Sequence, residues 1–303
     1  MANGVTGSKT ARIARSLVVA NGKGGVGKTT ITANLAYEAS KRWNRVIAVD
    51  LDPQANLGAD LGVEVHDAGE SFAKAALGLA ESPNLYETGR DGLFYIAGGE
   101  ELNSLERSIT SHNELPSAVV GIRRALREHL DRRTWLMIDT PPATGNMLSD
   151  AALALGQWLL IPTKEDARSR AGVATVLDRV INVGETMGST IRPVGAVLFG
   201  LDSRATRINA RTRADLEAGI GGAFPVLEST IREAKKAQID AKEVGVTATE
   251  YSDMADAADL LPWYEAASKG ISQLTFATNA DTLAGDYQRL AHEVAQIMTR
   301  SKK

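Results

Sequence analysis

Two lysines inside a glycine-rich stretch are the residues of this chain best suited to chemistry. The run Gly22-Lys23-Gly24-Gly25-Val26-Gly27-Lys28-Thr29-Thr30 fits G-x-x-x-x-G-K-[ST] over residues 22–29 with no mismatch. Glycines 24, 25 and 27, with Val26 between them, let the backbone turn tightly enough for successive N–H groups to face an anion. An apolar run at residues 16–20 precedes the loop and a helical pattern follows it, which is the setting such a loop requires. The helix N-terminus adds positive potential. The expected ligand is ATP with Mg²⁺. Lys28 should reach the β- and γ-phosphates, Thr29 should ligate the metal, and Thr30 should meet the α-phosphate.

Acidic residues follow in a suggestive order. Val49-Asp50-Leu51-Asp52-Pro53-Gln54-Ala55-Asn56 comes after an apolar run at residues 45–50, and Asp139 ends another at residues 135–139. An aspartate at the end of a buried strand beside a phosphate loop can hold Mg²⁺ through water. Taken singly, each could equally be a helix cap or a turn residue.

Such groups need a rigid frame, and the remaining pattern supplies one. Short apolar runs at residues 16–20, 45–50, 93–97, 135–139, 158–162 and 194–199 read as buried strands. Helical periodicity covers residues 29–41, 118–130, 168–181 and 206–218. This alternation predicts βαβ units and an α/β fold, a doubly wound, mostly parallel sheet flanked by helices. Residues 247–281 read as irregular and insertion-like. A packing helix over 282–300 carries Tyr287, Leu290, Val294 and Ile297 at core spacing. No linker divides the chain, so residues 13–303 are expected to form one ATPase domain behind a flexible tail at 1–12.

Composition narrows the function. Among 303 residues there is no cysteine, which excludes disulfides, thiolate zinc sites and Cys-ligated iron–sulfur clusters and suits a reducing cytoplasm. A net charge of -3 gives no overall field for nucleic acid, so any DNA contact must be local. No run of 18 apolar residues is present and the N-terminus lacks a signal-peptide core.

Lys23 is the residue that suggests a family. A second lysine in the form K-G-G-V-G-K-T-T resembles the deviant Walker A motif of ParA/MinD ATPases. There the extra lysine reaches across a sandwich dimer to phosphates held by the partner; the alternative here is a solvated loop lysine. The D-x-D-P-Q-x-N segment and D-x-P-P at Asp139-Thr140-Pro141-Pro142 are similar to that family's too. The resemblance implies that Lys23, Lys28 and Asp52 are catalytic, Asp52 orienting the attacking water. It also implies that Asp50 lies near the metal with Thr29 and Asp139.

Within the family, the C-terminal pattern is similar to the packing helix of ParA proteins rather than a membrane helix. The short N-terminus leaves no room for a helix-turn-helix module. DNA-binding candidates by resemblance are Arg204, Arg207, Arg211 and Arg213, followed by Arg232, Lys235 and Lys236. Such residues would hold phosphates without reading bases. A solvated helix face is the alternative. The expectation is a cytoplasmic, nucleoid-associated partition ATPase. It would act as an ATP-dependent homodimer that holds double-stranded DNA non-specifically and is released when a ParB-like protein stimulates hydrolysis. Its rivals are an ATPase positioning a protein cargo, a MinD-like division regulator at the membrane, and a ligase-type synthetase.

Overall fold

The computed structural model describes residues 12–65, 67–109, 111–142, 146–188, 191–260 and 276–300. The expected tail, residues 1–12, lies outside them except for Arg12, and so do residues 261–275 of the stretch expected to be irregular.

Eight strands form one sheet: β1 (Ser16–Val19), β2 (Arg45–Asp50), β3 (Tyr86–Arg90), β4 (Leu93–Ile96), β5 (Thr134–Asp139), β6 (Trp158–Thr163), β7 (Arg192–Leu201) and β8 (Val226–Arg232). Their order is β3-β4-β2-β5-β1-β6-β7-β8. All neighbours are parallel except the β3–β4 hairpin at one edge. Central strands such as β5 and β6 are buried along their whole length, which explains their unbroken apolar sequence.

Period-2 alternation divides the core between the two faces. Val18 points to the side covered by α3 (Glu70–Leu77), α4 (Leu102–Arg107), α5 (Leu115–Leu126), α6 (Met147–Leu155), α7 (Ala167–Met187) and α8 (Thr206–Ile220). Its neighbours Leu17 and Val19 point to the other side. There α1 (Lys28–Arg42), α2 (Asn56–Asp60), α9 (Lys235–Val244), α10 (Ala248–Leu260) and α11 (Ala280–Arg300) pack. Tyr287, Leu290 and Val294 of α11 are buried as their spacing predicts, and Ile297 is partly so.

Three departures from the sequence reading have clear causes. The helix expected at 118–130 begins at Leu115, with Pro116 in its first turn, and ends at Leu126 in a short 3₁₀ turn. Strands β3 and β8 were not anticipated; both are edge strands whose partial exposure leaves no long apolar run. Residues 248–260, placed in the irregular stretch, form α10. Its start is a capping box: Glu250 Oε2 accepts from the Thr247 amide and hydroxyl, each at 2.8 Å. Glu250 also receives Arg90 through Nε at 2.7 Å and Nη2 at 2.9 Å, which pins α10 to the β3–β4 hairpin.

Candidate functional site

The phosphate loop runs from the end of β1 into α1, at the C-terminal edge of the parallel sheet, and distant residues hold it. Buried Asn21 donates its Nδ2 to the Pro162 carbonyl at 2.6 Å and accepts the Lys23 amide on Oδ1 at 2.8 Å. The Gly22 amide donates to the Gly172 carbonyl of α7 at 3.2 Å. A Cβ at Gly22 would lie 2.9 Å from the Thr175 Cβ, so the approach of loop to helix depends on glycine. Gly27, with φ of 88°, is the residue before α1. A Cβ there would come within 2.6 Å of the Phe199 ring. Asn21, Gly172 and Phe199 went unnoticed in the sequence because their partners lie far away along the chain.

Lys28 folds back beneath the loop, its Nζ 3.4 Å from the Lys23 carbonyl, and is only 6% exposed. Burial pushes its pKa down, while the carboxylates of Asp139 and Asp52 pull it back up. The Thr29 hydroxyl donates to Asp139 Oδ2 at 2.6 Å. Asp139 is fully buried and its Oδ1 has no hydrogen-bond partner. Burial pushes its pKa up to about 7, against the Thr29 hydrogen bond and the charge of Lys28. A buried, unpartnered carboxylate oxygen beside a threonine hydroxyl suits a hard cation, so the donor set fits Mg²⁺.

Asp50 lies beside Asp139, its register partner on the neighbouring strand. Its Oδ1 accepts the Asp52 amide at 2.9 Å; its Oδ2 accepts the Leu57 amide at 3.2 Å and the Tyr95 hydroxyl at 3.4 Å. Both oxygens are engaged by protein donors, so Asp50 organises the turn that presents Asp52. Burial and the neighbouring Asp139 charge hold its pKa well above the ordinary range. Asp52 is 8% exposed, and its Oδ1 accepts the Gln54 amide at 2.9 Å. Ala55 sits in the left-handed region, with φ of 51°, before α2. Lys23 lies at the mouth of the loop, its Nζ 2.9 Å from Asp166 Oδ1.

The basic candidates divide into two sets. Arg204, Arg207 and Arg211 are exposed at and along α8, and Arg211 has only a loose contact with Asp215 at 3.9 Å. Arg213 instead donates Nη2 to the Leu227 carbonyl at 2.7 Å, clamping α8 to β8. Arg232 grips Asp286 of α11 through Nε at 2.6 Å and Nη2 at 2.9 Å. These two guanidinium groups are partly exposed and are engaged by partners within the fold. Lys235 pairs with Glu233 at 3.1 Å and Lys236 with Asp240.

The comparisons with known proteins agree with this frame. The family model described as an AAA domain matches residues 14–192, and the chain belongs to that family. Within it, the chain is a P-loop ATPase of the ParA/MinD type. It is 28% identical over 218 residues to the chromosome-partitioning ATPase Soj of Thermus thermophilus, covering 68% of this chain and 77% of Soj. McdA from Cyanothece, in the ATP complex of a variant with one aspartate replaced by alanine, superposes with a TM-score of 0.70 at 19% identity. That match covers 93% of this chain and 96% of McdA. A cobyrinic acid a,c-diamide synthase from Mycobacterium smegmatis with bound ADP and magnesium gives a TM-score of 0.61 at 26% identity, covering 77% and 93%. Among the described residues no helix is long and apolar enough to cross a membrane.

Proposed function

We propose that this chain is a small ParA-type partition ATPase, whose Mg-ATP-bound homodimer holds double-stranded DNA without sequence preference. The observation that carries the reading is the arrangement around Asp139. A buried carboxylate with one open oxygen, the Thr29 hydroxyl, and the recessed Lys28 ammonium meet under a glycine loop that has a second lysine at its mouth. Thr29 and, through water, Asp139 would hold Mg²⁺, which would offset phosphate charge when bound.

The chain's own residues do the remaining work. The loop amides of residues 24–29 and Lys28 fix the triphosphate, with Thr30 at the α-phosphate. Asp52, oriented by Asp50, positions water for attack on the γ-phosphorus, and the bond to the β-phosphate oxygen breaks to leave ADP and phosphate. The partner subunit's Lys23 neutralises charge on the transferred phosphoryl, which makes turnover contingent on dimerisation. Arg204, Arg207 and Arg211 offer exposed cations for phosphates of DNA, with Lys235 and Lys236 beside them. Soj and McdA, the similar proteins, support this assignment by likeness. A ParB-like centromere-binding protein is the stimulating partner that this reading implies, and a nucleoid location follows from the DNA contact.

The deciding experiment is retention on mixed-sequence DNA, with and without Mg-ATP, using the Asp52→Ala variant to block hydrolysis. ATP-dependent dimers that stay on DNA support the reading. A chain that stays monomeric with saturating Mg-ATP overturns it. A second reading, the positioning of a protein cargo, uses the same ATPase site. Affinity capture with the trapped dimer separates the two by the partner recovered, a centromere-binding protein or an assembly subunit.

A further inference from the structure

The edge of the sheet opposite the nucleotide loop carries an unexpected concentration of arginine. Parallel strands start on one edge and end on the other, so the residues that open β2, β5, β1 and β7 share a face. Arg45 is the first residue of β2, Arg132 and Arg133 directly precede β5, Arg12 and Arg15 precede β1, and Arg192 opens β7. Because the strand order is β2-β5-β1-β6-β7, these six arginines form a row. Four strand spacings of about 4.8 Å make that row roughly 19 Å long.

The row is held rigidly. The Arg15 amide donates to Gln157 Oε1 at 2.7 Å, and the Arg15 carbonyl accepts the Leu136 amide at 2.9 Å. The Ile13 amide donates to the Leu155 carbonyl at 2.8 Å. Arg15 itself takes a left-handed φ of 60°, uncommon for a residue with a side chain.

Counter-charge is scarce there. Among the described residues, none of the six forms an ion pair, in contrast to Arg90, Arg179 and Arg232 elsewhere in the fold. Asp131 lies near Arg45, and the two charges act on each other; its Oδ1 accepts the Arg133 amide and the amide and hydroxyl of Thr134 and forms no ion pair with the row. The Nε atoms of both Arg12 and Arg45 are buried with no hydrogen-bond partner. Burial and, after it, the adjacent Arg192 push the Arg12 pKa down, showing two guanidinium groups crowded together. Arg45 lies over the Phe94 ring, 4.6 Å from its centroid, and Arg192 over Trp158 at 5.7 Å. These cations rest on aromatic faces with no carboxylate paired to them, and a row of such cations points to a missing anion.

We infer that this edge binds the phosphate backbone of a nucleic acid, independently of ATP and separately from the α8 arginines. Guanidinium forks match phosphate oxygens in pairs, and the row contains arginine throughout. Its length matches the axial rise of about six nucleotides on one strand at 3.4 Å each. A lipid surface fits less well, because stable interfacial binding needs apolar side chains that insert. Among the described residues, no large exposed apolar residue stands in the row itself. The tryptophans near the row are turned inward: Trp43 stacks on Trp135 with ring centroids 3.7 Å apart, and Trp158 is buried. Along β5, Arg133 and Asp139 stand six residues, about 20 Å, apart, so the row faces away from the nucleotide.

The test uses the full chain without nucleotide, a mixed-sequence DNA duplex and a salt series. The wild type should bind at low salt. Arg132→Glu/Arg133→Glu, and separately Arg192→Glu, should weaken that binding. Each lost phosphate contact should lower the slope of log affinity against log salt by about 0.9. Thermal unfolding and basal ATPase should be unchanged, and ATP-dependent retention through Arg204 should persist, so this proposal and the partition reading fail separately. Absence of nucleotide-free binding, or an unchanged salt slope in both variants, overturns the proposal. Tighter, row-dependent binding to vesicles containing phosphatidylglycerol than to the duplex overturns it in favour of a membrane.

Discussion

At the scale of single residues, the site couples charges that burial alone would suppress. Lys28 and Asp139 are both nearly inaccessible, and each opposes the other's loss of charge. Lys28→Ala should therefore weaken ATP binding at least about 100-fold, near 3 kcal/mol, by removing the fixed counter-charge. Equilibrium titration with a fluorescent ATP analogue reads this directly, and unchanged affinity would refute the site. Asp139→Asn keeps the shape but weakens the hold on Mg²⁺. Turnover should fall about 10- to 100-fold and become more sensitive to chelator, as seen in a phosphate-release assay across Mg²⁺ concentrations. The sequence announced both residues, since they lie in or beside short motifs. Asp50 was harder to place. The resemblance implied a place near the metal; the structure sets it beside Asp139 with three protein donors on it, and two of them, Leu57 and Tyr95, lie outside the motif that drew attention to it.

At the scale of elements, loop, turn and cap decide whether these side chains arrive in position. Gly27→Ala imposes a left-handed φ on an alanine and drives its Cβ into Phe199. Such strain costs about 1–3 kcal/mol. Nucleotide affinity measured by calorimetry should drop, and Phe199→Ala should relieve part of the loss. The capping box of α10 gives a prediction with pH. Burial disfavours the Glu250 carboxylate, but Arg90 and Thr247 overcome this and hold its pKa below the ordinary 4.5. A depressed carboxylate pKa contributes stability that is full above the unfolded value and lost as pH falls through the folded one. Thermal unfolding between pH 7 and pH 3 should thus show Glu250→Gln less stable at neutral pH and converging on the wild type below about pH 4.5. Parallel curves across that range would count against the assignment. Residues 247–281 read as irregular because apolar residues are scarce after Thr247, and the helix there starts from the side-chain contacts of Thr247 and Glu250 that only the structure shows. Edge strands β3 and β8 escaped for a related reason: half-exposed strands lack the continuous apolar run that marked the central ones.

At the scale of the whole molecule, two opposite edges of one sheet carry opposite tasks. The C-terminal edge gathers the loop, Asp52 and Asp139; the N-terminal edge gathers arginines. Lys23 stands at the mouth, paired with Asp166 in its own subunit, and in the proposed dimer it would exchange that partner for a phosphate. Lys23→Ala should retain nucleotide affinity within about threefold, a change of roughly 0.6 kcal/mol. It should also abolish ATP-dependent dimers in light scattering, and dimerisation as in the wild type would assign Lys23 to the loop surface alone. Arg204→Glu should lower ATP-dependent DNA retention and its salt slope by about 1, with ATP binding unaltered.

What the sequence determined by itself is local. A nine-residue loop, two acidic segments and the strand–helix alternation each fit within one short stretch, and backbone sterics or burial read such stretches directly. The tertiary structure decided everything that depends on distant partners. It gave Arg213 and Arg232 partners within the fold, carbonyls of β8 and the carboxylate of Asp286. It turned Asp50 into the support of a turn, and it aligned six arginines scattered from residue 12 to residue 192 along one edge. The reason is physical: charge acts through space, and only the order of strands in the sheet determines which charges are neighbours.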